Sequence, residues 1–411
     1  MTSSTAPPIP EGALSPVDVY KQGARAAHMW RIGETVSFRY RDDYLATGGT
    51  PVAFTLPLSE EVLTNDRMRL PAFFAGLLPE GESRRRFLQR SLRLAEDDEL
   101  GLLAAIGADT VGDVQVVPRG EPLPSDEVSA AARDWEQVSF RELWLEIPER
   151  GKRSALPGVQ PKMSAHSRSL AGGSGRPVIL KFALEEWRGA LHNERFFMQH
   201  AAAVGLEAPT VSVVTDREGD QALEEVRFDR TVSSGRLRRH AQEDGSQVLG
   251  IRPGQKYDVS AREIITALAG RCASPPVAVR DLFHQLAYSY AIGNNDVHAK
   301  NLSVREDPES GLWTVSPVYD VLHTWPYEAD HRFYPPIRED GPHDAVTRRH
   351  WLALARDVGL PERAAHRIIE QVSAGVLAVL GDAREEIEMP DAWLRDLERR
   401  IEQRVRYLEA G

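Results

Sequence analysis

Alternating apolar and polar positions near the start of the chain predict short strands over Val17 to Tyr20, Glu34 to Tyr40 and Val52 to Leu56, separated by turn signals such as Thr47-Gly-Gly. Residues 1–15, rich in Ser, Thr and Pro, carry no such pattern and are expected to form a disordered lead. An apolar face of Phe73, Phe74, Leu77 and Leu78 is interrupted at Pro79-Glu-Gly and followed by Arg84, Arg85 and Arg86, which read as a solvated helix face. A short helix over 95–107, stopped by Gly107, and a strand over Thr110 to Val117 come next. A Pro-rich, acidic connector at 118–127 then closes a β-containing subdomain, 16–125.

Helical segments around 126–149 lead to GKRSALPGVQPKMSA (151–165), whose glycines, prolines and basic residues suggest a turn or a phosphate-facing loop. After AGGSG at 171–175, Val178 to Phe182 reads as a strand carrying Lys181. Residues 192–205 then form an amphipathic helix with Glu194 in its first turn and Gly205 at its end. A strand lysine and a glutamate on the next helix can pair, which orients the lysine toward nucleotide phosphates. Val211 to Val214 and Ala222 to Phe228 predict a hairpin around Asp216 to Asp220, completing a region at 126–230. From 231 to 411 helical periodicity dominates. Leu282, Phe283, Leu286, Ala287 and Tyr290 line a helix ended by Gly293, and Leu394, Leu397, Ile401, Val405 and Leu408 mark a packing helix.

Composition narrows the classes. A chain of 411 residues, 42% hydrophobic and 27% charged, has room for two or three globular domains. Its net charge of −11 argues against a chain-wide grip on nucleic acid. With Cys272 as the single cysteine there is no intrachain disulfide framework and no multi-cysteine zinc site, which fits a reducing cytoplasm. Neither a signal peptide nor a membrane-spanning apolar run is apparent, so no membrane partner is expected.

Candidate chemistry concentrates in AIGNNDVHAKNLSV (291–304), which places Asp296, His298, Lys300 and Asn301 close together. A magnesium-dependent kinase needs a base for the hydroxyl, oxygen ligands for the metal and a cation for the phosphates. Asp296 can be the first, Asn301 and Asp320 the second, and Lys181 the third. Val315 to Tyr319 reads as a strand leading to Asp320, and a hairpin of Leu302 to Val304 with Leu312 to Val318 would return Asp320 to Asn301. A second reading takes Asp296, His298, Asp320 and His323 as transition-metal ligands of a hydrolase, which leaves Lys181 and the 151–165 loop without a role.

LLPEGESRR (77–85), LPGVQPK (156–162), ILKFA (179–183), NERFFMQHAAAVGL (193–206), RFDR (227–230), HAQEDGSQVLGI (240–251), GNNDVHAKNLS (293–303) and VYDV (318–321) together resemble the HipA-type serine/threonine kinases, toxins of bacterial type II toxin-antitoxin pairs. The resemblance implies a protein-kinase-like α+β fold, with a smaller β-containing N-terminal lobe and a mostly helical C-terminal lobe. It implies ATP and Mg²⁺ as cofactors, Asp296 as catalytic aspartate, and Asn301 and Asp320 as metal ligands. It further implies nucleotide contacts from Lys181, His298 and Lys300, from the loop of Gly158, Val159, Gln160 and Lys162, and from a hinge at Val226 to Phe228. Family members that autophosphorylate this loop carry a serine three residues before its glycine. Here that position is Ala155, so the resemblance implies that this off-switch is missing, with Ser154 beside it out of register. The implied partners are a HipB-like helix-turn-helix antitoxin, through which DNA is reached only indirectly, and a protein substrate such as an aminoacyl-tRNA synthetase. A nucleotide-binding co-repressor or scaffold with dispensable kinase activity is the alternative.

Overall fold

The chain is α+β, and the computed structural model describes residues 9–80, 82–127, 134–143, 162–165, 175–182, 187, 189–327, 332–338 and 340–410. The described residues fall into two compact units. One draws on Met1–Leu180, Asp216–Asp220 and Asp229–Pro253; the other on Lys181–Thr215, Gln221–Phe228 and Gly254–Gly411.

The first unit is built on an antiparallel sheet of β1 (Leu14–Lys21), β2 (Ala24–Ile32), β3 (Thr35–Tyr40), β4 (Leu63–Asn65) and β5 (Val114–Pro118), in the order β4-β3-β2-β1-β5. Strands β1 and β2 are joined by Gln22 and Gly23, both at positive φ, as a two-residue hairpin loop requires. Two helices, α1 (Ala72–Gly76) and α2 (Glu99–Ile106), contribute to the same apolar core: Phe74, Leu100, Leu103 and Ile106 cluster with Val17, Val19, Met29 and Phe38. Asp98 caps α2 by accepting from the Gly101 N–H at 2.9 Å. The RFDR run has a structural task in this unit. Buried Arg230 donates to the carbonyls of Gly112 (2.7 Å) and Thr110 (2.5 Å) and to the Asp229 carboxylate (2.9 Å), fixing the loop that feeds β5.

One strand of this sheet was not expected, and one expected strand is absent. The sequence reading passed over β2, whose ARAAHMWRI lacks clean alternation. Conversely, Val52 to Leu56 is not a strand: Leu56 N–H donates to the Ala53 carbonyl in a turn. Its neighbours are held by side chains, Val52 N–H by the Tyr40 hydroxyl and Phe54 N–H by Glu243. Val52, Ala53 and Leu56 are buried, and burial rather than pairing explains the run.

The second unit opens with the end of β6 (Val178–Phe182), followed by α3 (Ala190–Gln199) and a hairpin of β7 (Val211–Thr215) with β8 (Gln221–Val226), in register from Val211↔Glu225 to Thr215↔Gln221. Helices α4 (Ala261–Ala269), α5 (Pro275–Ala291), α6 (Glu362–Val379) and α7 (Asp391–Glu409) form most of the rest. The predicted face of α5 is buried, and its Phe283 and Tyr290 meet Trp351 edge-on at 5.4 and 5.7 Å. The predicted stripe of α7 is buried as well. Among the described residues no helix is long and apolar enough to cross a membrane.

The hairpin expected before Asp320 exists but is shorter. Strand β9 (Ser303–Glu306) pairs with β10 (Trp313–Val315), and the predicted strand over Val315 to Tyr319 ends at its first residue. Pro317 has no N–H to continue a ladder. The chain is instead held piecemeal, by Ser316 N–H on the Ser303 carbonyl and by the Tyr319 hydroxyl on the Lys300 carbonyl at 2.9 Å.

Candidate active site

Helix α5 ends at a sharp turn. Gly293, at φ +75, lets the chain leave the helix, and a Cβ there would lie 2.7 Å from Nδ1 of the buried His323. The departing segment is anchored from three sides. Asn295 N–H donates to the Thr324 hydroxyl at 2.9 Å, Arg404 donates to the Asn295 side-chain oxygen at 2.8 Å, and Asn294 donates to the Asp320 carbonyl at 3.2 Å. Asp296 follows, half-buried, with the Tyr257 hydroxyl donating to its carboxylate.

His298 begins a single 3₁₀ turn, Ala299–Asn301. Its backbone N–H donates to Oδ1 of Asn301 at 3.1 Å, which fixes which end of that amide is oxygen. The amide nitrogen lies 3.5 Å from Oδ2 of Asp320. The structure therefore brings Asn301 and Asp320 together, and it does so with Asp320 at φ +53, a left-handed conformation that an aspartate adopts more readily than most residues.

Lys181 is the electrostatic centre. It is 2% exposed and its ammonium reaches Glu194, Asp320 (2.5 Å) and Glu225 (3.0 Å). Burial works against its charge, but the carboxylates of Asp320, Glu194 and Glu225 outweigh it and hold the Lys181 pKa well above the ordinary lysine value. One cation among three carboxylates is a net negative site. The Asp320 carboxylate beside the Asn301 side chain offers oxygen atoms of the kind a hard divalent cation such as Mg²⁺ takes.

Other candidates are placed as follows. Lys300 is buried, and its carbonyl receives the Tyr319 hydroxyl. Val226 ends β8 with its N–H on the Thr210 carbonyl at 2.9 Å. Phe228 stacks obliquely on Tyr319 at 5.7 Å, under the Arg305 guanidinium, which also donates to the Phe228 carbonyl. Ser154, Ala155, Gly158, Val159 and Gln160 lie outside the described residues, and Lys162 is described only as the backbone start of a strand, Lys162–Ala165.

His323, a ligand in the hydrolase reading, is fully enclosed. Its Nδ1 donates to the Ile292 carbonyl at 2.8 Å, and burial pulls its pKa down to about 4. Among the described residues, the groups of three acidic or histidine side chains close enough to share a metal are His200, Asp382 and Glu386, and Asp216, Glu218 and Asp220, both without Asp296, His298, Asp320 or His323. Sequence reasoning missed Glu225 and Tyr257. Glu225 sits in a strand segment buried on both faces, where a glutamate signals a partner; Tyr257 lies in an irregular turn with no pattern to mark it.

Two family models match the chain in sequence order. Residues 17–117 match the HipA N-terminal domain model and residues 154–380 the HipA-like C-terminal domain model. The Shewanella oneidensis "Serine/threonine-protein kinase toxin HipA" is 28% identical over 320 residues, 72% of this chain and 71% of that protein. A Sinorhizobium fredii protein named "Putative kinase Y4mE" is 29% identical over 315 residues, 71% of this chain and 73% of that one. In fold, the chain superimposes on a chain of the Shewanella oneidensis HipA, HipB and operator DNA complex with a TM-score of 0.73 at 22% identity, covering 96% of this chain and 98% of the other.

Proposed function

Because the chain belongs to the HipA family, we propose that it is an ATP- and Mg²⁺-dependent serine/threonine kinase acting as a growth-inhibiting toxin. The observation that carries the reading is the pairing of Lys181 with Glu194 and Asp320, and of Asp320 with Asn301, in one unit with the Asp296 loop. In this reading Lys181 meets the nucleotide phosphates, and Asn301 and Asp320 would hold Mg²⁺, which when bound would offset phosphate charge. Asp296 accepts the proton of the acceptor hydroxyl as its oxygen attacks the γ-phosphorus, and ADP leaves. Val226, Phe228, His298 and Lys300 border the nucleotide in this reading.

The partner we propose is a HipB-like helix-turn-helix antitoxin. The support is the composition of the Shewanella complex together with this chain's net charge of −11, which leaves DNA affinity to the partner. A translation component, such as an aminoacyl-tRNA synthetase, is the substrate class to test first. The decisive experiment is growth on induced expression of the parent, Asp296→Gln and Asp320→Asn. The parent is expected to arrest growth and both variants to lose the arrest. Arrest by the variants as strong as the parent's would favour a nucleotide-binding co-repressor. Intact mass after Mg-ATP incubation should show no added phosphate; stoichiometric phosphate, localised to Ser154 by peptide mapping, would mean that the loop switch survives despite Ala155.

A further inference from the structure

The turn that precedes α4 touches the catalytic loop at two levels. The Lys256 carbonyl accepts from Ala299 N–H at 3.1 Å, joining backbone to backbone. One residue on, the Tyr257 hydroxyl donates to Oδ1 of Asp296 across 39 positions of sequence. The phenol ring is itself braced. Its edge-to-face neighbours are His298 at 5.1 Å and Tyr334 at 5.5 Å, and the Lys256 ammonium lies 5.1 Å from its centroid. Tyr257 is 37% exposed, so this bracing is not needed to bury a core residue.

We propose that Tyr257 is a positioning residue for the phosphoryl transfer described above. The proposal rests on the kinase reading. A half-buried aspartate can turn about its side-chain bonds, and a base that turns away from the acceptor loses rate even though it remains ionised. A phenol donating to an ionised carboxylate makes a charge-assisted bond, about twice as strong as a neutral one. The bond is compatible with a base because a carboxylate has two oxygens and about four acceptor sites. His298 contributes by steering the ring that steers Asp296.

The test compares wild type with Tyr257→Phe, which keeps the ring and removes the donor. Turnover is expected to fall on the order of tenfold with the KM for Mg-ATP unchanged. The carboxyl carbon of Asp296, followed by NMR without nucleotide, should titrate at a pH higher by about half to one unit, because a donor to the charged form has gone. The acid limb of the pH–rate profile should move by the same amount. A ring-fluorinated tyrosine at 257, more acidic but of nearly the same shape, should move the titration the other way, and it gives the answer if the phenylalanine variant unfolds. An active wild type whose Asp296 titrates identically in the variants overturns the positioning role alone. A variant faster than wild type also overturns it, and marks Tyr257 as a block on the base. A wild type that transfers no phosphate overturns the kinase reading and the positioning role with it, whatever the titration gives.

Discussion

At the scale of single residues the site is an exercise in charge placement. Lys181 has traded its hydration for three carboxylates, and two of them, Glu194 and Glu225, are as buried as the lysine. Removing one partner of a buried set leaves the others uncompensated, which costs roughly 3–5 kcal/mol. Lys181→Met is therefore expected to lower stability by about that amount, besides ending phosphoryl transfer. Adding Glu225→Gln should return part of the loss, because the second change removes a charge that no longer has a partner. Urea denaturation of the four proteins of this cycle measures it. Additive effects in the cycle would show that Glu225 does not depend on Lys181. Much of this could be read from residue type and order: a strand lysine, a helix glutamate, an aspartate five positions before Asn301, and a later aspartate. Glu225 and Tyr257 were missed: their partners are 44 and 39 positions away, Glu225 is marked only by a burial that its strand sequence does not announce, and Tyr257 lies in an irregular turn with no pattern.

The elements explain why the loop stands where it does. Helix α5 is rigid because its apolar face is buried, and Gly293 converts that rigidity into a defined exit. Gly293→Ala would place a Cβ against the His323 ring, which is 1% exposed and pinned to the Ile292 carbonyl, so the ring has nowhere to go. Positive φ adds about 1 kcal/mol, and forced overpacking roughly 1–3 kcal/mol. A destabilisation of about 2–4 kcal/mol is expected, together with a fall in turnover on the order of a hundredfold from a displaced Asp296. Chemical denaturation and single-turnover kinetics check the two parts. Unchanged stability would mean that the turn can relax without moving His323. Helix α5, its glycine stop and the stripe of α7 were legible because each is a long periodic signal. Strands were less so. In β2 burial on both sides hides the alternation, Val52 to Leu56 looks like a strand because its turn is buried, and Pro317 cuts short a strand that the apolar run promised.

Across the whole molecule, each compact unit carries a buried titratable group, and the two respond to pH in opposite senses. In the first unit Glu243 accepts from Phe54 N–H at 2.9 Å while its other oxygen is buried with no hydrogen bond, and burial pushes its pKa up from 4.5 to about 8. The folded unit thus keeps a proton that the unfolded chain releases above 4.5. Its contribution is fully present below that pH and is lost as pH rises to about 8. In the second unit burial holds His323 neutral down to about 4, whereas the unfolded chain takes up a proton below 6.5, so stability there falls as pH falls from 6.5 toward 4. Within each window the slope approaches about 1.4 kcal/mol per pH unit for one group. Hydrogen exchange read separately in the two units should therefore show the first weakening from pH 5 to 8 and the second weakening from pH 6.5 to 5. Glu243→Gln is expected to flatten the first trend and leave the second untouched, since Gln keeps the acceptor for Phe54 and has no proton to lose. If wild type and Glu243→Gln show the same slope between pH 5 and 8, Glu243 is ionised in the folded protein, and its second oxygen has found a partner in solution.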